Sequence, residues 1–314
     1  SFYISCGYAG FEAGDAGKLT VSATGTFADE NVGSNKTVTL TGLTLGGDAA
    51  SNYSIKSDSQ TTATANITAK VATVSGITAN DKVYDGTDAA TFNTDEAVFT
   101  GKLENDILTV SVTGTFVDKN VGSEKTVDLS SLILGGTDAG NYSLSAVGNQ
   151  LTTTADITAK PVTVSGITAN NKVYDGNDAA TLNTASATFA SLEAVDTGKL
   201  TVSATGTFSD KNVGTGKTVT LTGLTLGGDA ALNYSVKGDS QTATTANITA
   251  REITVSGIYA NDKTYDGTTA ATLDTTSAVF TGIVDGDTLT VSTTGSFTDA
   301  NAGDGKIVNL GTLV

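Results

Sequence analysis

Three stretches set a lysine, a tyrosine and a carboxylate close together: Asp81-Lys82-Val83-Tyr84-Asp85-Gly86, Asn171-Lys172-Val173-Tyr174-Asp175-Gly176 and Asp262-Lys263-Thr264-Tyr265-Asp266-Gly267. An exposed tyrosine beside an acid is a stacking platform for a sugar. A buried one packs its ring on a small core and ties its hydroxyl to a backbone group. The second role is expected for Tyr84, Tyr174 and Tyr265, because aromatics are only 6 % of the chain and each ring is needed inside. A solvated strand-edge role is expected for Lys82, Lys172 and Lys263. Their other chemistry is a Lys–Asn cross-link, with Asn141 or Asn233 as partners.

A second set of loops, Asp118-Lys119-Asn120-Val121-Gly122, Asp210-Lys211-Asn212-Val213-Gly214 and Asp299-Ala300-Asn301-Ala302-Gly303, alternates oxygen-bearing side chains before a glycine. Calcium takes about six to eight oxygens, and each loop supplies two or three. Asp118, Asn120, Asp210, Asn212, Asp299 and Asn301 are therefore calcium candidates only if Asp48, Asp138 or Asp229 joins them. A hairpin turn, in which Asn and Gly accept positive φ, explains the same residues and is the expected reading. Asn-x-Ser/Thr sequons at Asn35, Asn52, Asn66, Asn141, Asn233 and Asn247 are acceptors for glycosylation in a competent host, and such triplets arise readily in a chain this rich in Asn and Thr.

Machinery for catalysis is not displayed. There is no His, no Cys beside a base, no Ser elbow and no phosphate-cradling loop before a helix, so no enzyme and no cofactor beyond the calcium candidates are expected. A net charge of −16 repels phosphate backbones and argues against nucleic acid. Charged residues are only 16 %, which leaves a neutral coat of Thr, Ser, Asn and Gly suited to an extracellular setting. The single Cys6 forms no intrachain disulfide, and no stretch reaches the roughly 20 apolar residues of a membrane helix. No basic-then-apolar leader is present in this piece.

The tyrosines at 84, 174 and 265 mark a period of about ninety residues. Residues 1–10 match nothing else. The chain divides into a partial repeat 11–70, which lacks its opening half, repeats 71–160 and 161–250, and a partial repeat 251–314. Both ends fall inside a repeat, which suggests a window on a longer array. Residues 17–69 resemble 198–250 more than 71–160, as if a two-repeat unit had been duplicated.

Within a repeat the period is that of strands. Leu200, Val202, Ala204, Gly206 and Phe208 alternate with Thr and Ser, as do Leu19 to Phe27 and Leu108 to Phe116. A polar loop 209–216 leads to a strand beginning at Lys217. There Val219 and Leu221 share one parity and Leu224 and Leu226 the other, which predicts a bulge or bend at Gly223, and at Gly42 in the first repeat. A last strand carries Ala246, Ile248 and Ala250 on one face. Six to eight short, mainly antiparallel strands per repeat are expected, as an immunoglobulin-like sandwich or a β-grasp-like sheet.

The junctions Ala69-Lys70-Val71, Ala159-Lys160-Pro161 and Ala250-Arg251-Glu252 contain no Gly/Ser spacer, so a rod of touching repeats is expected. The Lys-x-Tyr-Asp-Gly stretch, the Asn-Val-Gly turn at Asn31, Asn120 and Asn212, and the Gly-Gly…Asn-Tyr-Ser segment together resemble the YDG-type repeats, and related MBG-type repeats, of large bacterial surface exoproteins and filamentous-haemagglutinin-like adhesins. The resemblance spans about 11–314, with Asn301-Ala302-Gly303 departing from the turn. It implies all-β modules in secreted arrays, with adhesive or structural roles and no catalytic residues.

The expected function is thus a structural segment of a secreted surface fibre or adhesin stalk, whose partners are adjacent repeats or neighbouring molecules. The alternative is a multivalent glycan-binding module. The half-repeats 11–70 and 251–314 are expected to be completed by further chain or by a neighbouring molecule.

Overall fold

The computed structural model describes Gly10 and residues 12–314, so Cys6 and the unmatched segment 1–10, Gly10 apart, lie outside the described residues. Two compact units divide between Thr158 and Ala159. The first holds the partial repeat and one whole repeat; the second holds the next whole repeat and the partial repeat from Arg251. The described chain is all-β with short 3-10 turns. No helix among the described residues is long and apolar enough to cross a membrane.

The whole repeat of the second unit shows how the sequence builds a module. Thr201–Phe208 pairs antiparallel with Gly214–Gly227, which pairs in turn with Ala243–Thr249. Short parallel and antiparallel pairings add Lys172–Val173 and Ala179–Ala180 at the edges, giving five strands. Lys160–Ser165 forms a second sheet between Thr188–Ala190 and Tyr234–Val236, the last pairing parallel. Val164 and Ile167 meet Val202, Phe208, Val219, Leu221, Ala246 and Ile248 in one buried cluster. This is a core between two sheets, as in a sandwich; no helix covers a sheet as a grasp would require among the described residues.

Alternation falls where period two puts it, with Leu200, Val202 and Phe208 buried and the intervening Thr and Ser exposed. The slip at Gly223 is a bulge. Ser203 pairs with Thr225 and Thr205 with Thr222, so one extra residue sits on the longer strand, and Gly223 has φ +63°. Thr20–Phe27 and Gly33–Gly46 repeat this with Gly42 at φ +61°. The extra residue lets leucines of both parities reach the same core, since Leu224 and Leu226 also pack on the cluster.

Three details differ from expectation. Ten strands, rather than six to eight, make up this repeat, because two-residue pairings such as Thr168–Ala169 with Leu182–Asn183 close its loops. The loop 209–216 is shorter, since the strand starts at Gly214 and takes a second bulge before Lys217, with Gly216 at φ +60°. Ala250 is exposed, because the last strand stops at Thr249.

Gly228 sets the turn into the tyrosine strand. Its φ is +90°, and a Cβ there would run into the backbone carbonyl oxygen of Lys199. Gly223 has open space round it. Gly223→Ala should therefore cost about 1–2 kcal/mol, the left-handed penalty alone, and Gly228→Ala clearly more. Urea midpoints of the full chain check this, and equal shifts would contradict it.

Candidate functional site

The Lys-x-Tyr-Asp-Gly stretches form closed cationic loops. The Lys82 ammonium lies 2.8 Å from Asp85 Oδ1 and donates to the carbonyls of Thr87 (2.9 Å) and Ala89 (3.0 Å). Lys172 is 2.7 Å from Asp175 and donates to Asn177 and Ala179. Lys263 repeats this with Asp266, Thr268 and Ala270. Each ammonium also stands 5.6–5.7 Å from the ring centroid of Phe116, Phe208 or Phe297. The aspartate accepts a second bond from the backbone two residues on, as in Thr87 N–H to Asp85 (2.9 Å). Gly86, Gly176 and Gly267, at φ +78°, +81° and +74°, make that turn. Lys82 and Lys172 lie on edge strands as expected, but their ammonium groups are tied into the loop instead of being left to solvent. Asn141 lies elsewhere, on Asn31 and Val32.

The tyrosines of the motif differ in setting. Tyr84 is buried, Tyr174 packs on the rim of its own core, and Tyr265 is 67 % exposed. The hydroxyl of Tyr174 does not bind backbone as expected; it donates to Asp287 Oδ1 of the next repeat at 3.2 Å. A Cβ on Gly176 would meet Val284, so backbone and neighbour approach closely here too. The backbone tie belongs instead to the tyrosines of Asn-Tyr-Ser. Tyr53, Tyr142 and Tyr234 accept from the N–H of Glu12, Leu103 and Glu193. They donate to Oδ2 of Asp15 (2.9 Å), Asp106 (2.5 Å) and Asp196 (2.8 Å). Burial pushes Tyr234 up to about 12, with the Asp196 carboxylate adding to the rise and the Glu193 N–H opposing it.

The first unit shows a second contact between repeats. Val32 N–H donates to Asn141 Oδ1 (2.8 Å), and Asn141 Nδ2 donates to Asn31 Oδ1 (3.1 Å). The Asn-Val-Gly turn of one repeat thus reads the Asn of the next repeat's Asn-Tyr-Ser. Sequence reasoning did not single out Asp15, Asp106, Asp196 or Asp287, although each shortly precedes the leucine that opens the alternating strand, Leu19, Leu108, Leu200 or Leu289.

In the Asp-x-Asn-x-Gly loops a lysine stands on the carboxylate. Asp118 pairs with Lys125 at 2.9 Å and Asp210 with Lys217 at 2.5 Å; Asp29 pairs with Lys36 and Asp299 with Lys306. Asn120, Asn212 and Asn301 donate backbone N–H to the same aspartates at 2.7–2.8 Å, which is the turn geometry. Asp138 accepts from Ile107 N–H instead of joining Asp118. No group of three His, Cys, Asp or Glu that could hold a metal occurs among the described residues.

The YDG domain matches residues 6–63, 68–152, 158–245 and 249–313. The chain belongs to the YDG domain family. No curated protein and no solved structure matches it. The four tiles of the YDG domain follow the strand repeat, with Lys70–Ser75 and Lys160–Ser165 opening the second and third. In YDG terms, the signature Asp and Gly close a lysine-held loop and its Tyr, at Tyr174, reaches the following domain.

The lysine bonds hold Asp118, Asp175, Asp210 and Asp299 below the usual carboxylate range, and Asp266 at about 2. Asp85 is lowered too, its partial burial opposing but outweighed by Lys82 and Thr87 together. Their folded values lie below the unfolded 3.8, so the stability they bring is present above about pH 4 and lost as pH falls towards 2. Lys263→Met should move the Asp266 midpoint up towards 3.8, read by carboxyl-carbon NMR; a midpoint that stays near 2 would remove the lysine from the account. A chelator should leave the melting temperature of the full chain unchanged. A fall abolished by Asp118→Ala with Asp210→Ala would instead show a cation in those loops.

Proposed function

We propose that this chain is a structural segment of a long secreted bacterial surface fibre or adhesin stalk, in which YDG domains grip their neighbours and so give reach and stiffness. The observation that carries the reading is the Tyr174–Asp287 bond, where the family's signature tyrosine binds the next domain. The Asn31–Asn141 contact between the first two repeats supports it. So do junctions without spacers, which leave little slack between domains. On this reading the acidic, hydroxyl-rich surface keeps an extracellular array soluble, and no catalysis is assigned. A glycan-binding role draws less support, because Tyr84 is buried and Tyr174 is spent on the junction.

Electron micrographs of the exported protein test the proposal. Extended filaments of even width are expected, and collapsed, freely jointed beads would sink it. A glycan array probed with the full chain separates the alternative: saturable binding lost in Tyr265→Ala would favour adhesion by the motif itself. At the junction, Tyr174→Phe removes one hydrogen bond to a charged group. Amide exchange around 282–289 should then quicken roughly tenfold, while exchange in 201–227 stays unchanged.

A further inference from the structure

Asp-Gly pairs begin at Asp85, Asp175, Asp266, Asp285 and Asp304. In such a pair the backbone nitrogen of the glycine can attack the aspartate side-chain carboxyl, since no side chain screens it. The C–N bond forms, the carboxyl C–O bond breaks, and the amide proton and the carboxyl OH leave as water. Water then opens the resulting cyclic imide. Opening at the original main-chain carbonyl leaves isoaspartate, in which the backbone runs through the former side chain. The reaction needs a carboxyl that can be protonated and a glycine N–H that is free.

In the signature pairs the carboxylate is occupied. Lys82 stands 2.8 Å from Asp85 Oδ1 and 3.0 Å from Oδ2, and Thr87 gives its N–H and its hydroxyl to Oδ1, each at 2.9 Å. Lys263 and Thr268 repeat this on Asp266, and Lys172 with the Asn177 N–H holds Asp175. Such partners keep the group ionised: at about 2 rather than 3.8, the Asp266 carboxyl is protonated roughly sixty times less often at neutral pH. Asp285 and Asp304 have no ion pair and accept no hydrogen bond among the described residues. At Asp304 the following N–H lies at the strand bulge, where the whole repeats bond it, Glu124 N–H giving to Asp156 and Gly216 N–H to Asn247. Asp285-Gly286 differs. Gly286 has φ +86° and open space where a Cβ would stand, and its N–H donates to nothing among the described residues. This is a property of the turn, because the homologous residues Glu104-Asn105 and Ala194-Val195 of the whole repeats are exposed too. The N–H groups of Asn105 and Val195 are likewise given to nothing among the described residues.

We infer that Asp285-Gly286 is a site of spontaneous isoaspartate formation, a reaction from which the lysine loops exempt the signature Asp-Gly pairs, and that the change loosens the seam to the preceding domain. Val284 and Asp287 flank the pair, and both touch the preceding repeat's signature loop. Val284 crowds the position that a Cβ on Gly176 would take, and Asp287 accepts the Tyr174 hydroxyl. Asp287 N–H closes the turn on the Val284 carbonyl at 3.1 Å, as Asp106 does on Leu103 and Asp196 on Glu193. Isoaspartate adds a methylene to the main chain inside that turn, so the two contact residues cannot both keep their places. The chemistry at Asp285 stands apart from the fibre reading; only the loosening rests on domains that grip their neighbours.

The test ages the full chain for several weeks at neutral pH and body temperature, then maps isoaspartate by peptide mass spectrometry with fragmentation that separates the two linkages. Isoaspartate is expected to accumulate at Asp285, and to form roughly tenfold or more slowly at Asp85, Asp175 and Asp266. In Lys263→Met the rate at Asp266 should rise by about that factor, with Asp285 unchanged. The sites are also ranked within one wild-type molecule, so the comparison stands even if that variant fails to fold. Amide exchange at 282–289 should quicken as isoaspartate builds up. Neither change should occur in Asp285→Glu, whose longer side chain closes the imide ring poorly. No isoaspartate at Asp285, or equal rates at the signature pairs, would overturn the assignment. Isoaspartate that builds up while exchange at 282–289 stays constant would overturn the loosening, and the fibre reading would still be decided by the micrographs.

Discussion

Keeping a carboxylate satisfied inside a small apolar module is the constraint on which the YDG loops depend. Asp196 is 3 % exposed, in a core with few rings. A charge so placed is costly unless it is hydrogen-bonded and paired. The 3-10 turn Ala194–Asp196 aims it inward, Tyr234 donates to it, and Lys199 stands 3.8 Å away at the surface. The same tyrosine oxygen accepts the Glu193 N–H, so the turn that delivers the carboxylate is held by the group it binds. The sister turn Ala13–Asp15 sits in the same relation to Tyr53. The tyrosine strand is thereby fixed to the turn that leads into Thr201–Phe208, and the two sheets close over the core between them.

The other charges follow a different logic. Lys125 and Lys217 expose only 11 % of their side chains, while Asp118 and Asp210 are about half exposed. Exposed ion pairs add little stability, so the contribution of these lysines is mainly conformational. Each curls back from just beyond a bulge, where Glu124 (φ +50°) and Gly216 (φ +60°) take left-handed backbone, to the turn that precedes the strand. In the loops of Lys82, Lys172 and Lys263 the ammonium collects carbonyl oxygens as well as a carboxylate. A chain at −16 thus carries its structural acids already neutralised, and the excess negative charge lies elsewhere on the surface.

Much of the module was legible because its signals are local. Alternation placed Leu200, Val202 and Phe208 inside, and the parity change between Leu221 and Leu224 located the bulge at Gly223. In 122–135 the bulge recurs at Ser130 without glycine, which parity reveals and composition does not. The lysine of the Asp-x-Asn-x-Gly loops was also in plain view, three residues past each glycine at Lys36, Lys125, Lys217 and Lys306. A pattern of loop oxygens points to a bound cation, and here the ammonium of the chain's own lysine takes that place. The tyrosine–aspartate pairs were not legible: their partners lie 36 to 38 residues apart within a repeat and 113 apart across the junction. Gln150 and Gln241, which clamp Ile77 and Ile167 from more than 70 residues away, escaped for the same reason.

The two tyrosine bonds use different oxygens of homologous aspartates, Oδ2 within a module and Oδ1 towards the preceding one. Both are therefore compatible on a single carboxylate. A group that accepted from both its own strand and its neighbour would make closing the module and closing the junction one event. Where one carboxylate took both bonds, loss of either tyrosine would change the setting of the other, and the two contributions would not be additive. In an array stabilised by nearest neighbours, such sharing raises the interface part of the stability relative to the part intrinsic to each repeat. That balance suits modules whose apolar core is thin, since what the core lacks is supplied at the seam.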